Sequence, residues 1–552
     1  MKLRSRSSPL RDFLLSSTAV SLVTSYTALA RADDQIPVGE APAAITPKRV
    51  AVIGAGSGGS SSAYYLRKFA DASEIPVNIT VFERASHVGG RSTTVDVFGN
   101  PAYPVELGAS IFVEVNRNLV SAARELGLNV NGASQDDSDE SEEDSLGVWD
   151  GERFGYRLSG SLDWWDMAKM LWKYGWAPLR TQNLMKKTVQ QFLQLYEPPM
   201  FPFESLTSAA YEAGLMDAAS STGAELLRRN GISADFSRDI IQASTRVNYG
   251  QNLPLIHGLE TMVCMAAEGA VSVEGGNWQI FDGMLRSSGA DVRLNTPVTS
   301  IQRNEDGRFT VSSRLSASET EQSLFDEVVI AGPLQYSDIK ISPPLDHTPD
   351  QIPYVTLHVT LFSSPHRLSP AYFHLEGTAA PETILTTLPR GVDLGSQPKG
   401  VGPAGFWSIS TLRRVKPPAN DTDDAVTPER HYVYKIFSPE RLTAHFVADL
   451  LGIDRPAGAG NLTIGDLDRK DVSWLHEKTW QSYPYLYPRV TFDEIRLGPN
   501  LWYTSGIEIF ISTMETSSLM GKNVAALITK TWLEELGVDR EMPWHRSEQA
   551  EL

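Results

Sequence analysis

The run Arg49-Val50-Ala51-Val52-Ile53-Gly54-Ala55-Gly56-Ser57-Gly58-Gly59, continuing into Ser60-Ser61-Ser62-Ala63-Tyr64-Tyr65-Leu66, constrains this chain more than any other stretch. Its first half is a short β-branched segment of the kind that forms a buried parallel strand. Its second half spaces glycines as G-x-G-x-x-G where a helix must begin. Gly54 permits the tight turn, Gly56 lets the backbone approach a pyrophosphate, and Gly59 with Ala63 lets helix and strand pack closely. Ala55, Ser57 and Gly58 complete the loop, and the helix N-terminus turns free N–H groups and a partial positive charge to the phosphates. A second strand, Val77-Asn78-Ile79-Thr80-Val81-Phe82, ends in Glu83, 24 residues after Gly59. At that distance a carboxylate accepts hydrogen bonds from the adenosine ribose. The pattern predicts an α/β fold with a Rossmann-type dinucleotide domain.

Composition narrows the class. The chain has 552 residues, 41% hydrophobic and 9% aromatic, enough for a large folded core and unlike a polytopic membrane protein or a mainly disordered chain. A net charge of −18 disfavours nucleic acid as a partner. Cys264 is the single cysteine, which excludes intrachain disulfides and metal sites built on cysteine, so no metal is expected. It sits in the apolar run Met262-Val263-Cys264-Met265 and reads as core, not as a nucleophile.

The N-terminus reads as an address. Lys2, Arg4, Arg6 and Arg11 precede an apolar stretch, Phe13 to Leu29, that ends in Ala28-Leu29-Ala30. This predicts a signal peptide over 1–30, in preference to an uncleaved anchor or a mitochondrial presequence, and hence entry into the secretory pathway. Asp136, Asp137, Asp139, Glu140, Glu142, Glu143 and Asp144 form an acidic tract that cannot pack and reads as a solvated loop. Of three N-x-S/T sequons, Asn420 and Asn461 lie in loop-like sequence and are glycosylation candidates. Asn78 lies within the second strand and is expected to be inaccessible.

After Glu83 comes Arg84-Ala85-Ser86-His87-Val88-Gly89-Gly90-Arg91. An acidic ribose ligand followed by Gly-Gly-Arg resembles the second FAD motif of the amine-oxidase and glutathione-reductase-like flavoproteins. The resemblance implies that Gly89 and Gly90 let the chain pass the flavin pyrophosphate and that Arg91 counters its charge. Glu106-Leu107-Gly108-Ala109-Ser110 resembles the segment beneath the flavin in those proteins. The strand pair within Val292–Ile301 resembles their return to the FAD domain, with Val298 meeting the adenine. Val328-Val329-Ile330-Ala331-Gly332-Pro333 resembles the strand and turn that lead back to the substrate domain. Leu501 to Glu508, with Gly506, Ile507 and Glu508 at the turn, precedes a helical run from about Ser512 to Ile528 whose N-terminus would face the flavin pyrimidine edge. The implied cofactor is FAD and not NAD.

Three further phrases, Arg246-Val247-Asn248-Tyr249-Gly250-Gln251, Val273-Glu274-Gly275-Gly276-Asn277, and Gly506-Ile507-Glu508 with Ser512-Thr513-Met514-Glu515, resemble the prenylcysteine oxidase (prenylcysteine lyase) family. That resemblance implies an FAD-dependent thioether oxidase that converts farnesyl- or geranylgeranyl-cysteine, O2 and water to cysteine, a prenyl aldehyde and hydrogen peroxide. Hydride leaves the prenyl carbon next to sulfur, water adds, and the hemithioacetal collapses. No strong base is needed for the first step, so positioning should dominate. Arg246 is a candidate for the substrate carboxylate, Tyr249 for orienting substrate or water, and Glu508 for the site or for a ribityl hydroxyl; all three also read as residues that brace the interface or hold only the cofactor.

The expected organisation is a discontinuous FAD domain (47–115, 270–335 and 490–530) interleaved with an α+β substrate domain (116–269 and 336–489, with the acidic loop at 133–146). A linker (31–46) and a tail (535–552) flank them. Residues 162–176, rich in tryptophan and lysine, predict a helix that lines a prenyl channel, rests on a membrane interface, or is ordinary core. Two rivals share the scaffold: an amine or polyamine oxidase, for which no water-holding lysine is identifiable from the sequence, and a non-catalytic prenyl carrier resembling the GDP-dissociation inhibitors, which would not need the complete FAD fingerprint.

Overall fold

Strand β1 (Lys48–Ile53) buries Val50, Ala51 and Val52 completely, as a strand covered on both faces must. It pairs in parallel with β2 (Val77–Phe82) on one side and with Glu327–Ile330 on the other. The sheet has six strands in the order Asp291–Arg293, β2, β1, Glu327–Ile330, Leu501–Tyr503, Arg496–Gly498, all parallel except the last. Its strands thus come from three widely separated stretches of chain. The computed structural model describes residues 46–132, 145–160, 164–316, 318–392, 394–418, 430–458 and 461–537, with Met542 and Trp544. The leader, the acidic tract, Asn420 and most of the tail lie outside the described residues.

Helix α1 (Ser57–Ala72) follows the glycine turn and packs on the sheet. A Cβ on Gly59 would stand 1.9 Å from the Gly54 carbonyl oxygen, so only glycine closes this turn. The long helix Met514–Glu535 lies against α1 with equal intimacy: a Cβ on Gly521 would reach within 2.4 Å of the Gly58 oxygen. The serines that open α1 suit this contact, being small and locally satisfied. Ser61 donates to Ser518 Oγ (2.7 Å), Ser62 to the Gly58 oxygen (2.8 Å) and Ser57 to the Met514 oxygen (2.6 Å). The helix expected from about Ser512 to Ile528 begins at Met514, capped by Thr513, and extends to Glu535.

A second, seven-stranded sheet runs Trp474–Pro484, Tyr354–Ser364, His431–Ser438, Ser408–Val415, Thr383–Thr386, Ser145–Trp149, Phe154–Ser159. Both sheets belong to one compact unit, Thr46–Leu552. The helices of this unit include α2 (Arg117–Glu125), which packs on the long helix, α3 (Trp164–Tyr174) and α4 (Ala177–Leu193), which pack on each other, Gly258–Met265 against α4, and Gln242–Tyr249 against the strand Thr383–Thr386. The helix expected over 162–176 is α3; it stops at Gly175, whose φ of +60° ends it, and α4 starts a new direction.

Asn78 corrects an expectation. It is exposed although it lies in β2, because it points to the face opposite the buried Val77, Ile79 and Val81. Asn461 is exposed in its loop.

The contact between α1 and the long helix leaves no room for a side chain. Gly521→Val should lower stability by about 1–3 kcal/mol through overpacking, seen as a lower thermal midpoint together with loss of any ligand held at the α1 N-terminus.

Candidate functional site

The loops that leave the C-terminal ends of the parallel strands, at 54–58, 83–91, 331–333 and 504–508, all line one cavity of about 1740 Å³. That is where open α/β sheets bind ligands, and the volume exceeds the roughly 300–1,000 Å³ of a single small-ligand site. The seven-stranded sheet supplies the opposite wall through alternate residues: Ser408, Ser410 and Leu412 from one strand, Lys435 and Phe437 from the next, His476, Lys478, Trp480 and Ser482 from a third.

At one end the chain presents main-chain donors and little else. Gly56 is the N-cap of α1 and no side chain caps it; Gly54, Gly56, Ser57 and Gly58 line the cavity. Gly90, with φ of +61°, faces Gly56 closely enough that a Cβ would sit 3.2 Å from the Gly56 Cα. The Gly89 N–H donates to the Ala55 oxygen (2.8 Å), locking the two glycine loops together. Glu83 is buried at the rim, each carboxylate oxygen accepting one main-chain N–H, from Ala55 (2.8 Å) and Ala85 (2.7 Å). Each oxygen keeps a lone pair for a hydroxyl. Arg84 and Val298 also line this end, Arg84 donating to the Tyr336 oxygen (2.9 Å). An uncapped helix N-terminus, a close pair of glycine loops and a buried acceptor carboxylate fit a dinucleotide such as FAD.

The middle is polar and electrostatically tense. Arg91 Nη2 lies 2.7 Å from Glu508 Oε2, and the Tyr354 hydroxyl donates to the same oxygen (3.3 Å). Burial works against the Arg91 charge, but the Glu508 carboxylate outweighs it and holds the guanidinium pKa up. Opposite, the Lys435 ammonium donates to the Glu106 main-chain oxygen (2.9 Å) and to Ser110 Oγ (3.0 Å). Glu106 Oε1 accepts the Asn277 N–H (2.7 Å), while no protein group hydrogen-bonds its buried Oε2. Burial pulls the Lys435 pKa down and pushes that of Glu106 up, each partly restored by the other. In the same segment Ala109 adopts a left-handed φ of +54°, its carbonyl fixed by Asn277 Nδ2 (2.8 Å). Gly108 lies against Trp480, where a Cβ would come within 3.1 Å.

The remaining arm is apolar. Phe112 and Leu119, Val189, Phe192 and Leu193 from the last turn of α4, and Leu259, Met262 and Val263 line it. Glu515, buried at the start of the long helix, accepts the Asn118 and Leu119 N–H groups at the beginning of α2 (2.9 and 3.0 Å) and the Tyr196 hydroxyl (2.6 Å). It thus fixes α2 against the cavity.

Several residues expected at the site stand elsewhere. Arg246 is fully buried and does not line the cavity. Its guanidinium is consumed by Thr386 Oγ1 (3.0 Å), Asn252 Oδ1 (2.8 Å) and the Gly400 and Val401 oxygens (3.3 and 2.6 Å), and it lies 4.7 Å from the Trp407 ring. Four of its five N–H donors are engaged in this way, away from the cavity. Gly506 and Ile507 pack behind the wall, and Ala55 and Gly59 shape the turn from beneath, whereas Gly108, Ala109, Ser110 and Glu508 reach the cavity. Tyr249 reaches it too, its hydroxyl donating to the Ser512 oxygen (3.1 Å) and its ring edge-on to Tyr483. Behind it burial pushes the Glu260 carboxyl up to about 8, against opposing hydrogen bonds from Tyr249 and the Ser512 N–H. Cys264 lines the cavity as a buried thiol whose pKa burial raises well above its usual value.

Sequence reasoning missed Lys435 and the apolar face of α4. The signal for the first was a single lysine inside His431-Tyr432-Val433-Tyr434-Lys435-Ile436-Phe437, a run otherwise suited to a buried strand. For α3, neither Trp172 nor Trp176 lines the cavity, and both are exposed. These two tryptophans are therefore neither channel nor core.

Arg246 is a tie between the Gln242–Tyr249 helix and the loop at 400–401. Arg246→Met should cost on the order of 3 kcal/mol of stability by orphaning buried acceptors, measured by thermal denaturation. A variant of unchanged stability that lost only substrate affinity would return Arg246 to the binding site.

A family model described as prenylcysteine lyase matches residues 159–539, and an NAD(P)-binding Rossmann-like model matches residues 52–126. The chain is 27% identical to a farnesylcysteine lyase of Arabidopsis thaliana, with 88% of this chain and 89% of the relative covered. It is 28% identical to prenylcysteine oxidase 1 of Rattus norvegicus, covering 88% and 90%. Among solved structures, a putrescine oxidase bound to putrescine (TM-score 0.52, 17% identity, covering 88% of this chain and 99% of that one) shares the fold. So does a cyclohexylamine oxidase from Brevibacterium oxydans (TM-score 0.52, 17%, covering 88% and 100%). With the family match extending over more than half of its length, from the helical layer through the second sheet to the long helix that closes the dinucleotide end, the chain belongs to the prenylcysteine lyase family.

Proposed function

We propose that this chain is an FAD-dependent thioether oxidase that cleaves prenylcysteine with O2 and water to cysteine, a prenyl aldehyde and hydrogen peroxide. One observation carries the reading: a single cavity of about 1740 Å³ is lined by an uncapped glycine-rich helix N-terminus, by the polar group around Lys435 and by the apolar side chains of Phe112, Phe192, Leu259 and Met262. The farnesylcysteine lyase and prenylcysteine oxidase relatives support it.

Gly54, Gly56, Ser57, Gly58 and Gly90 would hold the pyrophosphate, Glu83 the ribose and Val298 the adenine. FAD held there would supply a two-electron acceptor for the substrate, with O2 as the final oxidant. The protein's part is placement and water control. The walls of Phe112, Phe192, Leu259 and Met262 bury the prenyl chain and set the carbon next to sulfur at the polar junction. Oxidation there leaves an electrophilic carbon, water adds to it, and the hemithioacetal breaks into aldehyde and thiol. Lys435 and Ser110, both on the cavity wall, form the group that can hold that water, and the buried Glu106 carboxylate acts on it through the Lys435 charge. The leader read at 1–30 and the exposed Asn461 sequon support a secretory route, to a lysosome or vacuole or out of the cell.

Amine oxidation is the second reading, and Lys435 favours it as a cavity-wall lysine able to hold a water near the cofactor. The apolar lining contributed by Phe112, Phe192, Leu259 and Met262 favours a prenyl substrate. Purified protein should be yellow with a flavin spectrum, and peroxide release should be faster from farnesylcysteine than from spermine or benzylamine. Colourless protein that takes up no FAD, or the opposite substrate order, would overturn the proposal.

The Glu106–Lys435 pair also sets a pH profile. Acid protonates Glu106 and alkali deprotonates Lys435, so both are charged only in the window between. Turnover should fall on both sides of that window. Glu106→Gln should abolish the acid limb and Lys435→Met the alkaline limb, read from peroxide release across the pH range.

A further inference from the structure

The junction of α3 and α4 has no task in the site. Trp172 is 91% exposed and Trp176 68%, and Leu179, one turn into α4, is 38% exposed. Water-facing tryptophans on a chain with so many buried aromatics call for a partner. Charge indicates which kind. From 164 to 193 the sequence carries Lys169, Lys173, Arg180, Lys186 and Lys187 against Asp166 alone, a net +4 on a chain of net −18. Trp176, Leu179, Arg180, Lys186 and Lys187 recur at the spacing of one helical face, and that face is exposed, while Ala177, Thr181, Met185 and Thr188 are buried on the other. Lys173 is held by the Gly155 oxygen (2.6 Å) and Asp239 (3.4 Å) yet remains 45% exposed; Arg180 donates to the Gly231 oxygen (2.5 Å).

From these residues we propose that the α3–α4 junction docks on an anionic phospholipid bilayer, the tryptophans entering the headgroup layer and the basic side chains pairing with lipid phosphates and carboxylates. Interleaved tryptophan and lysine on a helix is interfacial chemistry. Among the described residues no helix is long and apolar enough to cross a bilayer, so the contact is peripheral. The local charge of this segment is opposite to the net charge of the chain, which favours approach of an anionic surface here. Two copies meeting through this face would oppose like charges. The same helix reaches the cavity with its last turn, about 20–25 Å along from Trp176 at 1.5 Å per residue, and Ile111 and Val115, which line the cavity, are themselves partly exposed. If prenylcysteine is the substrate, as proposed above, the enzyme would meet it where a lipophilic thioether partitions; the docking itself rests on exposure and charge alone.

The test is co-sedimentation of the mature, FAD-loaded chain with sucrose-loaded vesicles of phosphatidylcholine, with and without about one third phosphatidylserine. Wild type should bind the phosphatidylserine vesicles about tenfold or more tightly than the neutral ones, and both W172S/W176S and K186E/K187E should lose about tenfold. Flavin absorbance and farnesylcysteine turnover in lipid-free buffer should stay within about twofold of wild type. No binding by wild type, equal binding to both vesicles, or variants that bind undiminished would overturn the proposal. So would a dimer in solution that the tryptophan variant dissolves, since a second copy would then be the occupant. Vesicle binding without farnesylcysteine turnover would uphold the docking and refute the proposed substrate.

Discussion

Everything at the dinucleotide end depends on two places where backbone touches backbone. Gly59 lets α1 close on the β1 turn, and Gly521 lets the long helix close on α1. Together they bring two helix N-termini to one cavity edge, linked by the Ser57 hydroxyl on the Met514 oxygen. Helix termini supply unpaired N–H groups and a fixed partial charge with no ionisable group to titrate. The structure can therefore hold an anionic ligand without placing a lysine or arginine in the phosphate loop.

That saving matters because the middle of the cavity is already crowded with charge. Arg91 and Glu508 neutralise each other, so Arg91 faces a carboxylate from its own chain. Lys435 holds the Glu106 main-chain oxygen, and burial drives both side chains toward their neutral forms. A buried carboxylate with one unbonded oxygen is costly to stability. Its position beside a lysine in a cavity wall is what a site needs when a proton must move.

The parts of the site that were legible in the sequence are those where a backbone requirement dictates the residue. Gly54, Gly59 and Glu83 were readable because a turn, a helix approach and an acceptor each demand one residue type. Arg246 was not, because an arginine inside a motif looks the same whether it faces a ligand or a ring of carbonyl oxygens; only Gly400 and Val401, remote in sequence, reveal which. Lys435 was hidden for the opposite reason, since alternation decides which strand residues face the cavity and the register of that sheet is set by distant partners. The tryptophan-rich helix was correctly expected as a helix, but its outward face depends on the break at Gly175.

The Ser57–Met514 hydrogen bond spans 457 residues of chain. During synthesis at about 5–20 residues per second, the glycine turn therefore waits roughly 20–90 s for its other wall. Until then α1 stands with its buried serines and its sheet edge uncovered, and the dinucleotide end is incomplete. Loading of the cofactor is in this sense a late event in the life of the nascent chain. A ribosome stalled before Met514 would release a product that has the whole nucleotide fingerprint and no completed site to hold the nucleotide.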